Sequence, residues 1–282
     1  MTNTTTERGH TMSDGLSDHC GTPRAAGPTL VVILLGVSSC AWLLSVWLAT
    51  PEMRLGVLTG AALMPAGGQM DMSPSASMGL SAFIVTWTVM MVAMMVPSFI
   101  PAVWRFDASV RSTGPSHAAT VLFCSGYLLV WSAVGAVADL VVNVLQGGAV
   151  ADSMTALRVG AMLLIVAGLY QLSPLKQTCL RQCRSPYAGA APSVGARRPG
   201  HLGAVHAGLA QGWYCLGSSW PLMGVLLLVG LMNLAWMWII AGVIFVEKVV
   251  PSGDVVSKVV GWGLTGGGII LLAAPHTLPA LA

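Results

Sequence analysis

Charge is scarce in this chain: of its 282 residues only 8% are Asp, Glu, Lys or Arg, while 55% are hydrophobic and the mean hydropathy is +0.77. A soluble domain carries about 25% charged residues, so this composition cannot cover a water-facing surface of ordinary size. The sequence also lacks haem, flavin and nucleotide motifs, a His cluster with ligand spacing, and a paired Cys-x2-Cys array. Its 6 cysteines are scattered at positions 20, 40, 124, 179, 183 and 215, and only Cys179 and Cys183 are near neighbours. With no soluble domain to host conventional catalysis, an enzyme is not expected.

What is present in place of charge is long apolar runs. A helix crossing the hydrocarbon core needs roughly 20 apolar residues. Thr29 to Ala49, Gly79 to Val103, Ala118 to Leu145 and Met154 to Ser173 each qualify. Gly203 to Val246 is 44 residues without a formal charge. As one helix it would be about 66 Å long, so it is expected to hold two spans. "GSSWP" (217 to 221) offers the break, with Gly217 ending one helix, Ser219 capping the next and Pro221 in its first turn. A glycine-rich run, Val255 to Ala273, completes the set. The fold class is all-α, a polytopic transmembrane helix bundle of about seven spans, or six without the last.

Basic residues orient such a bundle. With a cytoplasmic N-terminus, Arg54 and Arg158 alone among the 13 Lys and Arg residues fall outside. The net charge of +3 is therefore a topology signal and does not point to nucleic acid. The expected organisation is a disordered cytoplasmic tail over 1–27 and a transmembrane domain over 28–274. That domain has a Met-rich outer loop at 50–78 and a basic cytoplasmic loop at 175–202, and a short tail follows at 275–282. The expected location is the cell membrane, as a multi-pass protein with the lipid bilayer as its first partner. The first apolar run is too long for the h-region of a cleaved signal peptide and is expected to remain as an anchor.

Methionine is the most informative residue type. In "WTVMMVAMMVPSFIP" (87 to 101), Met90 and Met94 share one helical face and Met91 and Met95 the next, which makes a broad stripe. Two readings fit. Met is an adaptable packing residue, and thioether sulfur is a neutral soft ligand for Cu(I). The preceding loop, "MPAGGQMDMSPSASM", tips the balance toward metal, because Met70-Asp71-Met72 has little packing reason to be methionine-rich in water. Asp139 lies in the third run with Asn143 and Gln146 at helical spacing. An intramembrane carboxylate defaults to a functional hypothesis, although a water-accessible place at the outer end explains it as well.

On the cytoplasmic side, "YQLSPLKQTCLRQCRSP" sets Cys179 and Cys183 four residues apart among Lys176, Arg181 and Arg184. Basic neighbours favour thiolates, and the cytosol disfavours a structural disulfide. Cys215 lies deep in the fifth run. Asn233 calls for a bilayer partner, and Glu247-Lys248 reads as an interface marker. The tail residues His10, Met12, His19 and Cys20 have no ligand spacing.

Together these segments resemble a bacterial family of predicted metal-binding integral membrane proteins, long classed as a domain of unknown function. The matching pieces are "WTVMMVAMMVPSFIP", "GYLLVW", "GLYQLSPLKQTCLRQCRSP", "GLAQGWYCLGSSWPLM", "GLMNLAWM" and "EK", in order from the second span to Lys248. The resemblance implies metal binding, with copper handling the usual guess, and sulfur positions at Met90, Met91, Met94, Met95, Cys179, Cys183 and Cys215. This chain departs from the family at "CLGSSW": Ser218 and Ser219 stand where the family commonly has two cysteines.

Two functions of different class follow. One is a membrane protein that binds Cu(I) and passes it to a client metalloprotein or across the bilayer. The other is a metal-free scaffold or assembly subunit, joining membrane partners through small-residue faces such as Gly263 to Gly268.

Overall fold

The computed structural model describes residues 28–48, 80–111, 117–144, 153–184, 201–229 and 233–273. These form eight helices and no strand: α1 (Pro28–Leu48), α2 (Leu80–Arg111), α3 (His117–Val144), α4 (Ser153–Leu172), α5 (Pro174–Arg184), α6 (His201–Val229), α7 (Leu234–Val249) and α8 (Gly253–Ala273). Both tails, the Met-rich loop with Met70 and Met72, and most of the basic loop lie outside the described residues. Five helices are long and apolar enough to cross a membrane, or six if the bent pair α4–α5 counts as one span. α7 has 16 residues, about 24 Å of helix, which falls short of a core about 30 Å thick.

The expected break at "GSSWP" is not there: α6 runs through it to Val229, with Pro221 inside. Proline lacks the N–H that would bond the carbonyl four residues back, which leaves the Gly217 carbonyl without its helical donor. The Tyr170 hydroxyl from α4 supplies one at 2.8 Å. Ser218 and Ser219 cap no helix; both hydroxyls donate to the Cys215 carbonyl, at 2.8 and 2.6 Å. The same device recurs in α2, which also continues through its prolines. Pro97 frees the Ala93 carbonyl, and the Ser38 hydroxyl of α1 donates to it at 3.0 Å. The new helix begins instead at Asn233, whose side chain accepts from the Trp236 N–H as an N-cap; this answers its need for a partner locally.

Glycines set the closest helix contacts. Between α3 and α6, a Cβ at Gly208 would strike the Phe123 carbonyl oxygen, and one at Gly212 would lie 2.9 Å from Val130. Between α4 and α8, Gly168 and Gly268 leave no room for a side chain. Gly268, proposed as part of a partner-binding face, is thus used inside the molecule, while Gly263, Gly266 and Gly267 face open space.

The Met stripe is turned inward. Met90, Met91, Met94 and Met95 are all buried, in one continuous core with Tyr127, Cys215, Met223 and Met237.

Candidate metal centre

Local sequence explains how the thiols are presented. In "LSPLK", the Ser173 hydroxyl accepts from the Lys176 N–H at 3.2 Å and Pro174 opens the helix, the N-cap and first-turn chemistry that starts a helix. The chain bends by 62° there. α5 then leaves the line of α4 and packs against α6 and α7. Lys176, Leu180 and Cys183 lie on one face of α5, and the first two are fully buried. On α6, Gln211, Cys215 and Ser218 share the buried face. The last turn of α7 carries Glu247 and Lys248.

These three faces meet at sulfur. The Cys183 and Cys215 side chains come close together here. Lys248 Nζ donates to Cys215 Sγ at 2.8 Å, and the Tyr127 hydroxyl is 3.1 Å from the same sulfur. Gln211 Nε2 reaches the Cys183 carbonyl at 3.3 Å and its Sγ at 3.6 Å. Ser218 is buried on the same face of α6. Cys179 Sγ fills the space beside Gly217, 2.7 Å from where a Cβ would stand. Tyr127 is held in place by its stack on Phe99 of α2, with centroids 3.9 Å apart.

Glu247 and Lys248 are not interface markers; both are buried. Glu247 Oε2 pairs with Lys176 Nζ at 2.8 Å, and Oε1 accepts from Gln171 Nε2 at 3.2 Å. The basic residues expected to serve the α5 thiols are engaged elsewhere. Lys176 is committed to Glu247 and Gln171, and Arg184 to the Glu247 carbonyl and Asp254. Arg181 is exposed. The cation at the sulfur is Lys248, brought from another helix.

The structure therefore joins Cys183 and Cys215, sets Cys179 nearby, and places the Met stripe in the same core. Asp139 is apart from them: it accepts from Asn143 at 3.0 Å toward the C-terminal end of α3, twelve residues or about 18 Å along the helix from Tyr127. Among the described residues no three His, Cys, Asp or Glu side chains form a ready-made cage. A soft ion suits what is there. Cu(I) accepts two thiolates, and the donor set is sulfur, with an ammonium rather than a carboxylate as neighbour. Tyr127, Gln211, Lys176, Glu247 and Lys248 were not picked out as site residues from sequence. Their signal was a long polar side chain inside or at the end of an apolar run.

Fold and site together define an all-helical protein, with several helices fit to span a membrane and a pair of neighbouring thiols, Cys215 buried and Cys183 half-buried. A family model described as copper chaperone (PpoB2) matches residues 84–271, and the chain belongs to that family. No curated protein and no solved structure matches it.

Proposed function

We propose that the protein is a membrane-embedded Cu(I) carrier, with its N-terminus in the cytoplasm, that holds the ion between Cys183 and Cys215 and hands it to a client metalloprotein. The ion is cargo, and the protein performs no catalysis. The observation that carries this reading is the convergence of the two cysteines on one polar cluster, with Gln211 Nε2 3.6 Å from Cys183 Sγ and Lys248 Nζ 2.8 Å from Cys215 Sγ. Two thiolates around one cuprous ion leave a single negative charge, and the Lys248 ammonium cancels it. Charge balance matters here because an uncompensated charge is costly in a buried site. The family description supports delivery rather than storage. The buried thioethers of Met90, Met91, Met94 and Met95 supply a second set of neutral soft donors in the same core, suited to relaying the ion without adding charge.

The test is copper retention. Protein purified in detergent under reducing conditions is loaded with Cu(I), passed over a desalting column and assayed for copper per chain. Wild type is expected to retain the metal, and Cys215→Ser and Cys183→Ser to lose it. Equal copper in all three would refute the thiol site.

A further inference from the structure

Lys176 and Glu247 form an ion pair with almost no exposure, 0% and 2% for the two side chains. Such a pair is weak evidence for stability, because the desolvation cost offsets the attraction, and its best-attested use is to fix register. Its surroundings suit that use. Gln171 of α4 bonds both partners and is itself held by the Ser257 hydroxyl of α8, which donates to its carbonyl at 3.1 Å. Arg184, at the far end of α5, donates to the Glu247 carbonyl at 2.9 Å. α5 is only 11 residues long, so apolar packing alone pins it poorly along its axis.

The consequence lies in the spacing. Cys179 and Cys183 are one helical turn apart, and Lys176 shares the buried face with Cys183. A slide of α5 by one turn, about 5.4 Å, would bring the other cysteine toward Cys215. The ion pair also joins α5 directly to the residue preceding Lys248. We infer that the Lys176–Glu247 pair is a positioning element for the metal centre: it sets the register of α5 so that Cys183, and not Cys179, faces Cys215 and Lys248. This deepens the proposed function and rests on the thiol pair being the copper site.

The experiment measures Cu(I) affinity of the full chain in detergent micelles by competition with bathocuproine disulfonate. Melting temperature and the Cu–S coordination number from X-ray absorption are recorded in parallel. Cys215→Ser tests the thiol site itself, and Cys179→Ser in the wild-type background should change nothing. The informative variant is Lys176→Met with Glu247→Leu, which replaces the buried pair by apolar side chains of similar size. It is expected to keep its melting temperature within a few degrees, to lose about tenfold or more in affinity, and to become sensitive to an added Cys179→Ser. Wild-type affinity in the double variant would overturn the inference. So would loss of the fold, since the pair would then hold the bundle rather than the register. If Cys215→Ser binds normally, the fault lies in the thiol site and not in the register.

Discussion

Lys248 Nζ lies 2.8 Å from Cys215 Sγ, and both residues are buried, on the consecutive helices α6 and α7. The contact places a positive charge where a bound cuprous dithiolate would be negative. Replacing Lys248 by Met removes the charge and leaves the sulfur in place. Breaking a buried charge pair costs about 3–5 kcal/mol, roughly a hundredfold in affinity or more. Lys248→Met is expected to bind Cu(I) at least that much more weakly in chelator competition, with Lys248→Arg intermediate. An unchanged affinity for Lys248→Met would remove the charge-balance argument.

Two proline-interrupted helices stay whole because a hydroxyl from a neighbouring helix takes the carbonyl that proline orphans. Tyr170→Phe leaves the Gly217 carbonyl, and Ser38→Ala the Ala93 carbonyl, without that donor. Each substitution should destabilise by about 1–3 kcal/mol, the penalty for a buried unsatisfied polar group. Restoring the N–H should recover part of it, so Tyr170→Phe with Pro221→Ala and Ser38→Ala with Pro97→Ala should both show favourable coupling in double-mutant cycles. Thermal unfolding in detergent measures this, and strictly additive effects would mean that the hydroxyls do not serve the proline gaps.

That device marks the limit of what the sequence revealed. The apolar runs of α1 to α4 and α8 were legible because span length is a local property. The end of α6 was not. Local capping rules put a break at Gly217 to Pro221, and the residue that makes a break unnecessary, Tyr170, is 47 positions away in the chain. The site divides in the same way. Cys183, Cys215 and the methionines were legible because sulfur in an apolar chain stands out by chemistry alone. Lys248 was not, since Glu-Lys at the end of an apolar run has the pattern of a membrane boundary. Only the tertiary packing of α7 against α5 and α6 shows that both side chains point inward.

Glycine at 208 is a condition for the site, because α3 can bring Tyr127 against Cys215 only if its backbone lies directly on α6. Gly208→Ala would push a methyl into the Phe123 carbonyl and force the helices apart. It should cost about 1–3 kcal/mol as an overpacked contact and weaken copper retention. Gly224→Ala is the control on the same helix. Nothing lies within 4 Å of that position, so it should be neutral or gain about 0.5–1 kcal/mol from helix propensity. Melting temperatures of the two variants, read with copper per chain, distinguish a specific contact from a general intolerance of α6.

The methionine stripe can be separated from the thiol pair. Leu is close to Met in volume, and such swaps usually cost under about 1.5 kcal/mol each, so changing Met90, Met91, Met94 and Met95 to Leu should leave a folded protein. If the thioethers carry copper, this variant should retain the ion held by Cys183 and Cys215 and lose the copper bound in excess of it. Transfer of Cu(I) to a chelating acceptor should also slow. Copper content and transfer rate both equal to wild type would assign the stripe to packing.

Ser218 offers a test in the direction of gain. Its hydroxyl donates to the Cys215 carbonyl at 2.8 Å from the same buried face of α6, so it stands beside the thiol site at a position where the resembling family commonly carries sulfur. Hydroxyl oxygen is a hard, weak donor to Cu(I), whereas a thiolate is a soft one. Ser218→Cys would add a third sulfur without moving the other two, because the side chains differ by one atom of similar placement. Affinity should rise by about tenfold or more, and the Cu–S coordination number from X-ray absorption should increase from two toward three. A variant that folds, binds copper as wild type does and keeps two sulfurs would show that position 218 faces away from the ion. The cuprous ion would then have to lie on the Tyr127 and Lys248 side of Cys215.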